Sequence, residues 1–426
     1  MNFAKKAYCR SFQTVFRTAI PVLPYRKPTL LGSTKELPAL LRKKNISRVL
    51  LITDASIRGF GITKPLEDSL HKAHIHCRVY DRTVANPTSQ NVEEARAMYL
   101  RGDCQAIIGF GGGSSIDCAK AVGARIAKPR QSLSQMEGIL KVHKRLPTLI
   151  AIPTTAGTGS EATLAAVITD SKTRHKYPIN DFPLIPRYAV LDPEVTRTLP
   201  RHVTATTGMD ALTHAVEAYI GRSTTKETRA DAIEAIQLIF SNLDRACDNG
   251  DDTEARRNML HAAYLAGSAF SKSYVGYVHA VAHSLGGKYN VPHGLANAVL
   301  LPHVLEAYGP SVYKKLHELS VCVGLSSRAN TDQVGAEAFL RAIREMKIRL
   351  DIPDVIPEIR REDVPELART AAKEANPLYP VPVLMEAEQL EQFYYDVMEE
   401  SHESGRNSRY RLPTEDVLCQ RHHTAG

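Results

Sequence analysis

From Pro28 to about Pro200, short apolar runs alternate with polar, helix-forming stretches. Residues 47–54 form a nearly continuous apolar run rich in Val, Leu and Ile, the pattern of a strand buried on both faces. A helix is predicted around 64–73, a second strand over 76–81, a helix over 92–101 and a third strand over 105–110. Runs 147–153 and 188–192 are also strand-like. Such alternation predicts a mostly parallel, Rossmann-like sheet covered on both faces by helices. Beyond Pro200 helix formers fill 207–221, 225–248, 253–269, 333–349 and 361–375, and strand-like runs nearly vanish. The expected organisation is an α/β domain over 28–200 and an all-helical domain over 201–400, with the active site in the cleft between them. Residues 401–426 are expected to be a loose tail.

Residues 1–27 have a pattern of their own. Phe3, Ala7, Tyr8, Phe12, Val15, Phe16 and Ala19 recur at helical spacing, with Lys6, Arg10 and Arg17 gathered on the other side. This basic amphipathic helix suits three uses: peripheral contact with an anionic membrane, a transit-type (mitochondrial) presequence, or packing on the domain or a partner subunit. It lacks the uninterrupted apolar core of a secretory signal, and no run of 18 apolar residues exists to span a membrane.

Charge and cysteines narrow the function class. The net charge is +8, but residues 1–35 hold seven of the 54 bases and no acid, so the remainder is within one charge of neutral. Aromatic residues make up 6% with no Trp, which argues against a nucleic-acid partner. Seven scattered cysteines without a C-x-x-C pair indicate neither a disulfide framework nor a thiolate zinc site. A reducing compartment, the cytoplasm, is the expected location.

Two turns carry candidate cofactor chemistry. The third strand runs into Gly111-Gly112-Gly113-Ser114 and then a helix, an order in which glycines admit a pyrophosphate and the helix N–H groups face its charge. It is not the G-x-G-x-x-G fingerprint, and a plain turn is the alternative. A second turn over 153–163 offers the hydroxyls of Thr154, Thr155, Thr158 and Thr163. Asp54 ends the first strand, where a carboxylate accepts from a ribose 2′-hydroxyl and repels a 2′-phosphate, favouring NAD over NADP; alternatively it caps the next helix.

Four residues have spacings that suit one divalent metal. Asp210 and His214 are i and i+4 on one helical face. His279 and His283 lie on a helix predicted to break at Gly286-Gly287, after which Pro292 returns the chain toward His293. One carboxylate with three imidazoles and no thiolate suits Fe²⁺ or Zn²⁺ better than Mg²⁺ or Ca²⁺. The aromatic run holding Phe270, Tyr274, Val275 and Tyr277 favours a small neutral alcohol or aldehyde.

Taken together, Gly-Gly-Gly-Ser (111–114), Pro-Thr-Thr-Ala-Gly-Thr-Gly-Ser-Glu (153–161), Gly-Met-Asp-Ala-Leu-Thr-His (208–214) and the His-x3-His-x9-His run ending at His293 resemble the iron-containing (group III) alcohol dehydrogenase family. That family includes lactaldehyde reductase and 1,3-propanediol dehydrogenase. The resemblance covers roughly residues 28–400. It implies a dehydroquinate-synthase-like architecture, a homodimer, and Asp210, His214, His279 and His293 as ligands of iron, with zinc as the other candidate. It also implies an NAD site lined by Asp54, Asn86, Gly112, Gly113, Ser114, Thr154, Thr155, Thr158, Thr163 and Lys176, and places His283 beside the nicotinamide. There His283 either relays the substrate proton or only packs against the cofactor. The implied activity is hydride transfer between NAD(H) and a small primary alcohol, diol or aldehyde. The rivals are a zinc-dependent polyol dehydrogenase of the glycerol type and a dehydroquinate-synthase-like lyase.

Overall fold

The computed structural model describes residues 1, 3–173 and 175–399; the expected tail over 401–426 lies outside them. Nine strands occur among these residues: β1 (Thr29–Leu31), β2 (Arg48–Asp54), β3 (His76–Thr83), β4 (Ala106–Gly111), β5 (Gly138–Ile139), β6 (Thr148–Pro153), β7 (Ala165–Thr169), β8 (Lys176–Asn180) and β9 (Tyr188–Val190). The helices of the first half are α1 (Phe3–Ala19), α2 (Leu37–Lys43), α3 (Ala55–Gly59), α4 (Lys64–Lys72), α5 (Ser89–Arg101) and α6 (Gly113–Ala127). The second half holds α7 (Arg201–Ile220), α8 (Lys226–Asp248), α9 (Thr253–Ser273), α10 (Tyr277–Tyr289), α11 (His293–Tyr308), α12 (Pro310–Cys322), α13 (Asp332–Arg349), α14 (Val364–Ala375) and α15 (Ala387–Val397).

The main sheet has the order β1-β9-β6-β4-β2-β3, and all its pairings are parallel. Alternation along β2 explains why both faces are covered: Leu50 and Ile52 point into one apolar cluster, Val49 and Leu51 into the other. After β3 extends the sheet on one side of β2, β4 joins on the other, so the chain reverses its direction of growth between β2 and β4. A crevice for a dinucleotide opens at the carboxyl ends of strands flanking such a switch point. Asp54 and Gly111 occupy those two ends.

A second, three-stranded sheet, β5-β8-β7, was not anticipated. Its strands are short, and Pro178 inside β8 disguises that run as a loop. In the helical half, α11, α12 and α15 were also missed. Helix α11 is apolar on nearly all sides and contains Pro302, so it shows no helical alternation.

Two expectations are corrected. Helix α10 does not break at Gly286-Gly287; it continues to Tyr289 and stops at Asn290, whose left-handed φ of 58° supplies the terminating conformation. Glycines in that turn weaken a helix without ending it when the flanking residues pack. The N-terminal helix forms and packs on the helical domain, one of its three expected uses, but through Cys9, Arg10, Gln13 and Phe16. Phe3, Tyr8 and Val15, expected on its packing face, point outward.

Candidate metal and cofactor site

Helix α7 is buried along most of its length, which carries Asp210 and His214 into the interior one turn apart. Helix α10 brings in His279, and the sharp return through Asn290–Pro292 starts α11 at His293. One ligand atom from each of Asp210, His214, His279 and His293 lies within 4.8 Å of all the others. Asp210 Oδ1 is 3.9 Å from His214 Nδ1, 4.0 Å from His279 Nε2 and 3.5 Å from His293 Nε2.

The chemistry of this set fits a cation. His214 Nδ1 and His279 Nε2 are buried with no hydrogen-bond partner among the described residues, an arrangement that leaves polar atoms unsatisfied unless something positive lies between them. Burial holds His214 and His279 below the usual imidazole range, the second strongly. The protein around His293 pushes it down to about 4, although one edge stays exposed. Three imidazoles kept neutral present lone pairs rather than protons.

Side chains missed in the sequence complete the surroundings. Glu217 Oε2 lies 2.6 Å from His279 Nδ1, while its carboxylate accepts from the Gly276 N–H at 2.8 Å and the Val278 N–H at 2.9 Å. This fixes the His279 tautomer with Nε2 facing Asp210. Buried Asn297 donates through Nδ2 to Asp210 Oδ1 at 2.6 Å. Both were findable: Glu217 extends the 210/214 face by one turn, and Asn297 follows His293 by four residues.

His283 lies one turn beyond His279, its ring stacked on His293 with centroids 5.1 Å apart. Its Nδ1 is 2.6 Å from Glu374 Oε1, which also accepts from the Tyr379 hydroxyl at 2.6 Å. Burial works to raise the Glu374 carboxyl, but His283 and the two hydrogen bonds outweigh it and hold it below its usual range. Of the aromatic run, Phe270 stacks on His214 at 4.2 Å. Tyr277 is corrected: it is fully buried and donates to Asn376 and the Met385 carbonyl, away from any opening.

The two glycine-containing turns come together. A Cβ added at Gly113 would lie 3.1 Å from Thr158, and one at Gly112 3.7 Å from Thr155, so these hydroxyls border the start of α6. At Gly159, where φ is 58°, an added Cβ would strike the Ala263 carbonyl at 2.6 Å, which is how the second turn docks on α9. Gly112, Gly113, Ser114, Thr155 and Thr158 are partly exposed, whereas Thr154 and Thr163 are buried. The Thr163 hydroxyl accepts from buried Lys120 Nζ at 2.8 Å, which also bonds Ser160 and the carbonyls of Thr163 and Ala165. Asp54 caps α3 by accepting from the Ile57 N–H at 2.9 Å, and its other oxygen accepts from the Ser115 hydroxyl at 3.4 Å. Capping and a place at the crevice are therefore compatible. Lys176 Nζ, at the start of β8, donates to Asn86 Oδ1, just after β3, at 2.6 Å.

Comparisons with known proteins agree with this geometry. Residues 30–193 match the iron-containing alcohol dehydrogenase family, and residues 204–398 match its C-terminal part. Alcohol dehydrogenase 4 of Schizosaccharomyces pombe is 37% identical over 379 residues, covering 86% of this chain and 88% of that protein. The NAD-dependent methanol dehydrogenase of Bacillus methanolicus is 34% identical, covering 80% and 90%. A solved 1,3-propanediol oxidoreductase superposes with a TM-score of 0.84 at 33% identity, over 88% of this chain and 99% of that one.

Proposed function

Because the chain belongs to the iron-containing alcohol dehydrogenase family, we propose that its substrates are small primary alcohols, diols and the corresponding aldehydes. It is an NAD- and metal-dependent oxidoreductase. The observation that carries this reading is the convergence of Asp210 with three imidazoles, two of which aim buried, unpartnered nitrogens into the cluster. Those four residues would hold the ion, and the start of α6 with Thr155 and Thr158 would hold the pyrophosphate. When bound, iron supplies a Lewis acid for the substrate oxygen and NAD supplies the hydride acceptor.

The chain's own contribution is positioning and proton handling. Glu217 and Asn297 hold the ligand side chains in place before anything binds. His283 has Nδ1 committed to Glu374, which leaves Nε2 as the base that takes the hydroxyl proton during oxidation and returns it during reduction. Phe270, stacked on His214, gives the substrate an apolar wall.

Zinc in place of iron, pairing into a homodimer and a cytoplasmic location are part of the same proposal; the six described cysteines are all unpaired, which supports a reducing compartment. So is membrane contact through Phe3, Tyr8 and Val15, supported by their exposure. The test is NADH-linked turnover of short alcohols, diols and aldehydes after reconstitution with Fe²⁺ and, separately, Zn²⁺. The expected result is turnover of a short primary alcohol, and none with either ion overturns the proposal. Sedimentation of the holoenzyme, alone and with anionic vesicles, reads subunit pairing and membrane contact.

A further inference from the structure

The N-terminal helix is tied to the active site by contacts that its sequence does not advertise. Arg10 donates through Nη1 to the Val381 carbonyl at 2.7 Å and through Nη2 to the Pro382 carbonyl at 2.8 Å. Gln13, buried among its neighbours, donates through Nε2 to the Tyr379 carbonyl at 2.7 Å and the Pro377 carbonyl at 3.2 Å. Its own Oε1 accepts from Arg10 at 2.8 Å, so the two side chains act as one clamp on four carbonyls of the segment between α14 and α15. That segment carries Tyr379, whose hydroxyl donates to the Glu374 oxygen facing His283.

A second route is aromatic. Phe16 packs edge-on against Tyr274 with centroids 5.0 Å apart, and Tyr274 in turn meets Tyr379 at 6.3 Å. Tyr274 has φ 60° and ψ 178°, a backbone conformation that favours glycine. A tyrosine stays there only if surrounding packing holds its ring, and Phe16 is part of that packing.

We propose that Arg10, Gln13 and Phe16 are positioning residues for the oxidoreductase reaction, acting through the 376–382 segment to hold Tyr379 on Glu374 and so His283 in the site. The helix is then a working part of the site's support. Only the turnover readout of this inference rests on the function proposed above.

The test compares the reconstituted parent enzyme with the double variant Arg10→Ala/Gln13→Ala, with Phe16→Ala, and with a control, Lys6→Ala/Arg17→Ala, at exposed positions of the same helix. Phe16→Ala leaves every hydrogen bond of the clamp in place and so reads the second route even where the double variant folds poorly. In hydrogen exchange of the holoenzymes, backbone amides in 376–382 are expected to exchange on the order of 10-fold faster in the double variant, with the α7 ligand segment unchanged. Turnover is expected to fall on the order of 10-fold, with a displaced pH profile and unchanged metal content, because a small misplacement of a reacting group is costly. The control is expected to match the parent in all of these. Parental exchange, a parental pH profile, or acceleration spread equally through α7 overturns the inference. An inactive parent sinks the functional reading alone, since the exchange measurement still reads the clamp.

Discussion

His279 and His283 sit one turn apart on the same helix, and each has Nδ1 2.6 Å from a glutamate oxygen, yet the two pairs are built differently. His279 is 2% exposed, and its partner Glu217 comes from the helix that also supplies Asp210 and His214. Burial lifts Glu217 to about 8, against the backbone N–H groups that favour its charge. His283 has its side chain 38% exposed, and its partner Glu374, from distant α14, is held below its ordinary range. The first pair is a buried floor, and the second is a rim that solvent can reach. One pairing chemistry thus suits the first imidazole to the proposed role of ligand and the second to that of proton carrier, according to burial and to what holds the carboxylate.

The most severe way to break the floor is Glu217→Ala. It leaves the Gly276 and Val278 N–H groups and His279 Nδ1 buried without partners. The expected cost is about 3–5 kcal/mol in denaturant unfolding, and metal affinity, read by chelator competition, is expected to weaken roughly 10–100-fold. Glu217→Gln keeps one acceptor but sets its NH2 against a buried N–H, so it is expected to cost less stability than Glu217→Ala while still losing metal affinity. If Glu217→Ala unfolds and binds metal like the parent, the floor is not preorganised by this residue.

Glu161 sharpens the comparison because it is a buried carboxyl with no imidazole partner. It is 1% exposed, its Oε1 has no hydrogen-bond partner among the described residues, and burial raises it from 4.5 to about 7. Between those values the unfolded chain has released a proton that the folded chain keeps, so stability falls as pH rises through this window and stays reduced above it. Glu161→Gln is expected to flatten that slope and to gain, relative to the parent, up to about 3 kcal/mol at pH 8. Unfolding midpoints at pH 5 and pH 8 check this. An unchanged slope would mean that Lys120 nearby already neutralises the group.

Much of this arrangement was legible because it is local. The strand alternation of the first half, the Gly111–Ser114 turn and the 210/214 spacing each express themselves within a few residues. The metal cluster needed one further step, the return through Pro292, and that step survives even though α10 ends at Asn290 rather than at its glycines. What was hidden is non-local. Glu374 lies 91 residues from His283, and no short-range pattern joins them. The leader's seat was hidden for a related reason: its apolar spacing marks a helix, but the seat includes carbonyls some 370 residues away that Arg10 and Gln13 reach. Lys120 was invisible because a lysine with four oxygen partners looks, in sequence, like any surface lysine.

The gentlest test of the rim is Glu374→Gln. The amide still offers Tyr379 an oxygen, so folding is expected to change by less than about 1 kcal/mol. What disappears is the carboxylate charge paired with His283 Nδ1. Turnover is expected to fall about 10-fold with metal affinity unchanged. That separation is the point of contact with the floor, where Glu217 variants are expected to move metal affinity first. A Glu374→Gln enzyme that loses metal in step with its turnover would merge the two pairs into one device. His283 would then be an outer support of the ligand cage, and the substrate proton would have to leave by another route.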